Sequence, residues 1–293
     1  MNNLAPIVLF VYNRPWHTQQ TVEALQKNEL ASKSELFIYS DDAKNFEARI
    51  SVDEVRAYID NIDGFKKVTV IKREKNWGLA DSIIDGVTKI VNEYGKIIVL
   101  EDDLVTSPYF LRFMNEVLEK YEFEEDVYSV TGYSFSNDVA DIDDTYFLKL
   151  TSSWSWGTWK DKWKDFTYDN AIFSKCLERK EAFNYDASYN YVGMVDDQLN
   201  RRINSWAIYW YASVFLKNGL TLYPAFSLIE NIGFDGSGTH CSKLKNLEKS
   251  YNKMYLLTDE VEEKIINRQH IVSYLNQQYK RQSFIGKIKS IFK

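Results

Sequence analysis

The first 120 residues alternate between two spacings of apolar positions. Four short runs are dense in apolar and β-branched residues: "PIVLFVY" at 6–12, "ELFIYS" at 35–40, "KVTVIK" at 67–72 and "KIIVL" at 96–100. Such runs predict strands buried in a sheet. Between them the spacing changes to three and four. A helical stretch near 18–27 follows the first run. Val52, Val55, Tyr58, Ile59 and Ile62 mark a second helix, and Ile83, Ile84, Val87, Ile90 and Val91 a third. After the fourth run, Ser107 fits an N-cap and Pro108 the first helical position. Phe110, Leu111, Met114, Val117 and Leu118 form the buried stripe behind them. Strand, loop and helix repeated four times predict an α/β fold with a mostly parallel central sheet and helices on both faces.

The second half is less regular. "VYSVTGYS" (127–134), "TYFLKL" (145–150) and "LTLYP" (220–224) read as strands. An aromatic helix over 203–216 should stop at Asn218-Gly219. "SSWSWGTWKDKW" (152–163) holds four tryptophans, and "NIGFDGSGTHC" (231–241) holds three glycines. Residues 244–293 read as lysine-rich helix. The expected organisation is one domain over 1–243, with halves 1–120 and 121–243, and a helical extension over 244–293.

Composition narrows the class. A net charge of -6 gives no reason to expect nucleic acid as a partner. The two cysteines, Cys176 and Cys241, form no metal-type cluster, which favours a reducing compartment. No apolar run is long enough to span a bilayer. The tail "KRQSFIGKIKSIFK" (280–293) interleaves lysines with Phe284, Ile285, Ile288, Ile291 and Phe292, as in helices that lie on anionic membrane.

Ligands of parallel sheets sit at the carboxyl ends of the strands. This chain places Arg14, Asp41, Asp42, Asn76, Gly78 and the run Glu101-Asp102-Asp103 there. Three adjacent carboxylates after a buried strand are costly unless paired or bound to a cation. In an extended chain Glu101 and Asp103 would share a face. A hard cation such as Mg or Mn needs only one or two of them beside phosphate oxygens and water. The alternative is an acidic turn at a helix N-terminus. Asp41 and Asp42 suit contacts to a base or ribose, or an Asx turn. Arg14 suits phosphate or base. Neither GxGxxG nor GxxxxGK[ST] is present, which disfavours a dinucleotide site and a P-loop. Asp196 and Asp197 are a second carboxylate pair, suited to general base catalysis. His240 is a candidate metal or phosphate contact in the glycine loop. Trp156 and Gly157 are the candidates for an acceptor surface.

With these residues in place the chain resembles the GT-A fold, nucleotide-sugar-dependent glycosyltransferases, over roughly residues 5–242. It is similar to the N-acetylglucosaminyltransferase I type of catalytic domain and to bacterial enzymes of surface-polysaccharide assembly. "IVLEDDLVTSPYF" resembles their Glu-Asp-Asp version of the DxD motif. The resemblance implies that Asp103 holds the metal, with Asp102 and Glu101 by the ribose and sugar. "FIYSDDA" implies uridine contact by Asp42 more than Asp41, and "VYNRP" puts Arg14 beside the nucleotide. "SWSWGTW" falls at the acceptor-facing region, and "LYPAFSLIENIGFDGSGTH" resembles a closing segment. The family's catalytic aspartate should fall near Trp206-Ala207-Ile208, where no acid stands. The nearest are Asp196 and Asp197. The resemblance implies a metal-dependent, inverting hexosyl- or N-acetylhexosaminyltransferase with a UDP-sugar donor and a glycan or lipid-linked acceptor. With the basic tail it implies a cytoplasmic enzyme on the inner membrane face. A sugar-nucleotide nucleotidyltransferase and a non-catalytic carbohydrate-binding protein are the alternatives.

Overall fold

The computed structural model describes residues 3–135, 144–235 and 255–277. The chain runs β1 (Ile7–Val11), α1 (Pro15–Gln26), β2 (Glu35–Ser40), α2 (Phe46–Ile59), β3 (Lys67–Lys72), α3 (Leu79–Tyr94) and β4 (Lys96–Glu101). Then come β5 (Leu104–Thr106), α4 (Phe110–Lys120), β6 (Val127–Thr131), β7 (Thr145–Leu148), β8 (Trp156–Trp159) and α5 (Lys160–Trp163). Four helices follow, α6 (Ile172–Leu177), α7 (Lys180–Phe183), α8 (Tyr191–Leu199) and α9 (Trp206–Leu216), then β9 (Leu220–Pro224) and β10 (Ile229–Asn231). A further helix covers 265–277.

The central sheet has the order β3-β2-β1-β4-β8-β6-β9-β7. Strands β1 to β4 are parallel to one another, whereas β8 runs antiparallel between β4 and β6. Alternation along β1 shows why it must be apolar throughout. Ile7, Leu9 and Val11 point to the core shared with α1, α2 and α4, and Val8 and Phe10 to the core under α3. Helix α9 is buried nearly all round because it lies between two cores. Trp206, Trp210 and Val214 face the α3 side, and Ile208, Tyr209, Tyr211 and Ala212 face the α6 side. Asn218, at φ +53°, ends the connection out of α9 in the left-handed region that asparagine tolerates.

Two expectations change here. Helix α4 starts two residues late, at Phe110 with Tyr109 as N-cap. The Ser107 hydroxyl instead accepts from the Tyr109 amide at 3.3 Å in the turn before it. Of the tryptophan run, Trp156, Trp159 and Trp163 are core, not surface. Trp156 is fully buried, its ring stacked on Trp206 at 5.1 Å and packed against Trp163 and Trp210. Gly157 sits mid-sheet, where a Cβ would stand 2.9 Å from the Ile97 carbonyl oxygen and 3.3 Å from Met114 Cε.

The segment from 255 onward is tied to the second half of the domain. The Tyr255 hydroxyl donates to the Phe226 carbonyl at 2.8 Å. Glu263 accepts from the Lys149 amide at 2.8 Å and from the Tyr185 hydroxyl at 2.6 Å. Arg268 pairs with Glu263 and with both oxygens of Asp186. These contacts hold Tyr185, Asp186 and Ala187, all at positive φ. The basic tail beyond residue 277 lies outside the described residues. Among the described residues no helix is long and apolar enough to cross a membrane.

Packing at Gly157 gives a stability prediction. A methyl group there meets backbone on one side and side chains on the other, so Gly157→Ala should lower unfolding stability by about 1–3 kcal/mol. That corresponds to a fall of several degrees in Tm for a domain of this size. A thermal or urea midpoint equal to that of the parent would show that β4 and β8 do not pack this closely.

Candidate active site

The parallel strands end level with one another. Val11 pairs with Ser40, Phe10 with Glu101 and Ser40 with Lys72. The loops after them therefore open on one edge of the sheet. Arg14 occupies the N-cap position of α1, and its carbonyl accepts from the Thr18 amide and hydroxyl, both at 2.9 Å. This fixes the base of its side chain while the guanidinium reaches across to the end of β4.

The chain does not stay extended through Glu101-Asp102-Asp103. It turns at the two aspartates and leaves as β5. The alternation expected for Glu101 and Asp103 is lost, and Asp102 and Asp103 converge instead. Arg14 bridges them, with Nη2 on Asp102 Oδ1 and Nη1 at 3.0 Å from Asp103 Oδ2. The Thr21 hydroxyl donates to the Asp102 carbonyl at 2.9 Å, pinning the turn to α1. On its other side β5 pairs with β10, and the Ile232 amide donates to the Asp103 carbonyl at 2.9 Å. This brings Gly233 onto the carboxylate: a Cβ there would overlap Asp103 Oδ2 and lie 3.1 Å from Arg14 Nη1. Only glycine leaves that approach open.

Charge at this point is under tension. Burial pushes the Glu101 carboxyl up to about 8, helped by Asp103 and Asp102 and opposed by Arg14. Burial also raises Asp102, against the pull of Arg14. For Arg14 burial works the other way, but the two aspartates outweigh it and hold the guanidinium charged. One cation shared by a cluster of acids leaves negative charge in excess.

The residues that follow β2 and β3 divide into clamps and ion pairs. Asp41 is buried, and both its oxygens are committed. Oδ1 accepts from the Asp42 and Trp77 amides at 3.0 and 2.8 Å. Oδ2 accepts from the Gly78 amide at 2.8 Å and Asn76 Nδ2 at 3.0 Å. Asn76 also donates to the Asp42 carbonyl at 2.7 Å. Gly78 takes φ +76° as it enters α3. Asp41, Asn76 and Gly78 are thus joined into one loop clamp at the strand-end edge. Asp42 pairs with Arg49 at 2.7 Å and Arg56 at 3.3 Å, and the Arg49 bond holds its carboxyl below the usual range. Arg73 lies over the rings of Trp77 at 4.0 Å and Tyr39 at 4.9 Å. The sequence reading missed these three arginines. Arg49 and Arg56 were visible as positions seven apart on α2, two turns apart on one face of the helix, and both meet Asp42.

Other candidates lie elsewhere. Trp156 and Gly157 are in the core, so neither presents a surface to an acceptor. On α8 Asp196 is exposed and Asp197 half-buried, and both pair with Arg202 rather than with any strand-end group. His240 lies outside the described residues. The residue that does reach the edge is Trp154. Ser155, at φ +48°, turns the chain so that Trp156 enters the core while Trp154 stays partly exposed.

Among the described residues no three His, Cys, Asp or Glu side chains converge as a metal cage. Asp102 and Asp103 nonetheless fit a hard divalent cation, which takes one or two protein carboxylates when phosphate supplies the rest. Their common engagement by a single guanidinium shows that both can address one positive charge.

No curated protein matches the chain in sequence. Among solved structures, TarS 1–349 of S. aureus aligns at 12% identity and TM-score 0.40, over 55% of this chain and 48% of TarS 1–349. The chain thus spans about half the length of that structure. The mannosyltransferase PcManGT of Pyrobaculum calidifontis, in complex with GDP-Man and Mn2+, aligns at 10% identity and TM-score 0.42, over 74% of this chain and 73% of its own. Mouse xyloside xylosyltransferase 1 aligns at 8% identity and TM-score 0.39, over 72% and 81%. The family model described as glycosyl transferase family 2 matches residues 7–185, more than half of the sequence, from β1 through the carboxylate turn to Tyr185. The chain belongs to glycosyl transferase family 2 and has the GT-A architecture.

Proposed function

We propose that this protein transfers a sugar, with inversion, from a UDP-linked donor to a hydroxyl of a glycan or lipid-linked acceptor in surface-polysaccharide synthesis, and that it depends on Mn or Mg. The observation that carries this reading is the turn that brings Asp102 and Asp103 onto one cationic group at the strand-end edge. Membership of the family supports it. Asp103, with Asp102, would hold the metal. When bound, the metal would neutralise the charge that develops on the leaving diphosphate. Arg14 stands between the carboxylates and the first strand, where its guanidinium can meet phosphate oxygens in a bidentate fashion. The Asp41 clamp presets the loop over the nucleotide half, so that less order has to be imposed on binding. The Gly233 segment lies on Asp103 and shields the carboxylates from water, which would otherwise compete as acceptor.

Three expected outcomes follow. Asp103→Ala should weaken UDP binding in the presence of Mn by at least about a hundredfold, since even residues behind a metal ligand command ten- to hundredfold effects. Isothermal calorimetry reads this directly, and an unchanged affinity would remove Asp103 from the metal site. Arg14→Met should leave Asp102 and Asp103 as an unpaired buried couple, a loss of about 3–5 kcal/mol in metal-free buffer. Added Mn should then raise the melting temperature of the variant more than that of the parent, because the competitor for the carboxylates is gone. A variant whose melting ignores Mn would contradict shared use of the two acids. For the base, the Asp196→Asn, Asp197→Asn double variant should retain transfer within a few-fold of the parent, because the pair is a solvated surface contact with Arg202. Loss of turnover with donor binding intact would instead identify this pair as the base.

A further inference from the structure

Along the strand-end edge the groups appear in spatial order. Asp42 follows β2, Arg14 follows β1, and Glu101 ends β4 with Asp102 and Asp103 after it. Trp154 precedes β8, and Tyr133 follows β6. Because β8 is antiparallel, with Trp156 opposite Val99, the residues just before it emerge beside the carboxylate turn. The Trp154 carbonyl is fixed there by the Thr131 hydroxyl at 2.9 Å and the Trp154 amide by Ser152 Oγ at 3.1 Å. Phe234, the neighbour of Gly233, lies 5.5 Å from the Trp154 ring centroid at 70°, and Tyr133 lies 4.7 Å away at 76°. Among the described residues both ring contacts of Trp154 are therefore edge-type, and no ring lies flat on the indole. Trp156, two residues on, is by contrast stacked at 25° on Trp206 and wholly buried.

From these observations, and resting on the nucleotide-sugar reading above, we infer that Trp154, braced by Tyr133 and Phe234, is the platform on which a pyranose ring packs. A nucleotide-diphosphate sugar laid along the edge with its base over the Asp42 side and its diphosphate at Asp102 and Asp103 puts the sugar on the β8 side, beside Trp154. The C–H face of a pyranose is apolar, and a partly exposed indole already held by two T-shaped ring contacts offers it a rigid apolar surface at little ordering cost. The same surface serves the sugar of the donor or the terminal sugar of an acceptor, which meet at the reacting carbon. Trp154 is a positioning residue in this scheme, and no proton or bond is transferred through it.

The test labels the full chain with 5-fluorotryptophan and follows the eight tryptophan fluorine resonances, with Trp154→Phe assigning the line of interest. Magnesium is used so that paramagnetism does not broaden it. In the donor arm UDP is compared with UDP-glucose, UDP-galactose and UDP-N-acetylglucosamine. In the acceptor arm the methyl glycosides of glucose, galactose, mannose and N-acetylglucosamine are titrated with and without UDP. Movement of the Trp154 line by a UDP-sugar beyond its shift with UDP assigns the platform to the donor. Movement by a methyl glycoside assigns it to the acceptor. The sugar that moves the line should bind about tenfold more weakly to Trp154→Ala, as expected for loss of one stacking contact. Trp154→Phe should recover part of that affinity, and Trp156→Phe should leave it unchanged. If the line stays still in both arms the inference is overturned. If UDP itself fails to bind by calorimetry, the nucleotide-sugar reading falls separately, and the methyl glycoside arm without UDP still decides the role of Trp154.

Discussion

The attraction between the Arg14 guanidinium and the paired carboxylates of Asp102 and Asp103 organises the edge of this sheet. A buried strand that ends in three acids is untenable unless positive charge meets it. Arg14 supplies that charge from the neighbouring strand, and its backbone is locked into the first turn of α1. The turn of the aspartates, the exit of β5 and the approach of Gly233 are all arranged around that contact. Two acids that share one cation leave one negative charge unmatched, and burial beside them pushes the Glu101 carboxyl up to about 8.

The antiparallel insertion of β8 is the second organising choice. A sheet that stayed parallel would bring only loops leading into helices to this edge. Reversing one central strand brings the residues before it to the same edge, next to the carboxylates. The change of direction costs nothing in burial, since Trp156 and Trp159 fill the two faces of the sheet as apolar residues of a parallel strand would. It also joins the two halves of the chain across β4 and β8 rather than across a cleft between separate bodies.

How far the sequence was legible varied with the length of the signal. The first four strands and the helices between them were readable because density and spacing repeat over many residues. The convergence at the strand ends followed from that topology. Local backbone reversals were not readable. The turn at Asp102-Asp103 reset which acids face together, and nothing in "LEDDLV" distinguishes it from continued strand. Strands β5 and β10, with three residues each, are too short for a period to register. The tryptophan run misled because aromatic density looks alike in a core and on a binding surface. The left-handed Ser155 decides which tryptophan goes where, and serine carries no mark of that conformation. Asp41 was placed at the right edge, but its four donors come from residues 42 and 76–78, and its commitment as a clamp was visible only in three dimensions.

The tie between residues 255–268 and the second half of the sheet bears on how the chain reaches this state. Lys149 and Tyr185 share Glu263, and Asp186 is held by Arg268, at separations of 114, 78 and 82 residues. Contacts that distant close large loops, and closure must precede any gain from the contact. The first half, built from neighbouring β-α units, has mostly short loops to close. Folding should therefore be polarised, with β1 to β4 able to condense early while the β7 edge and the left-handed run at 185–187 wait for a segment synthesised more than seventy residues later.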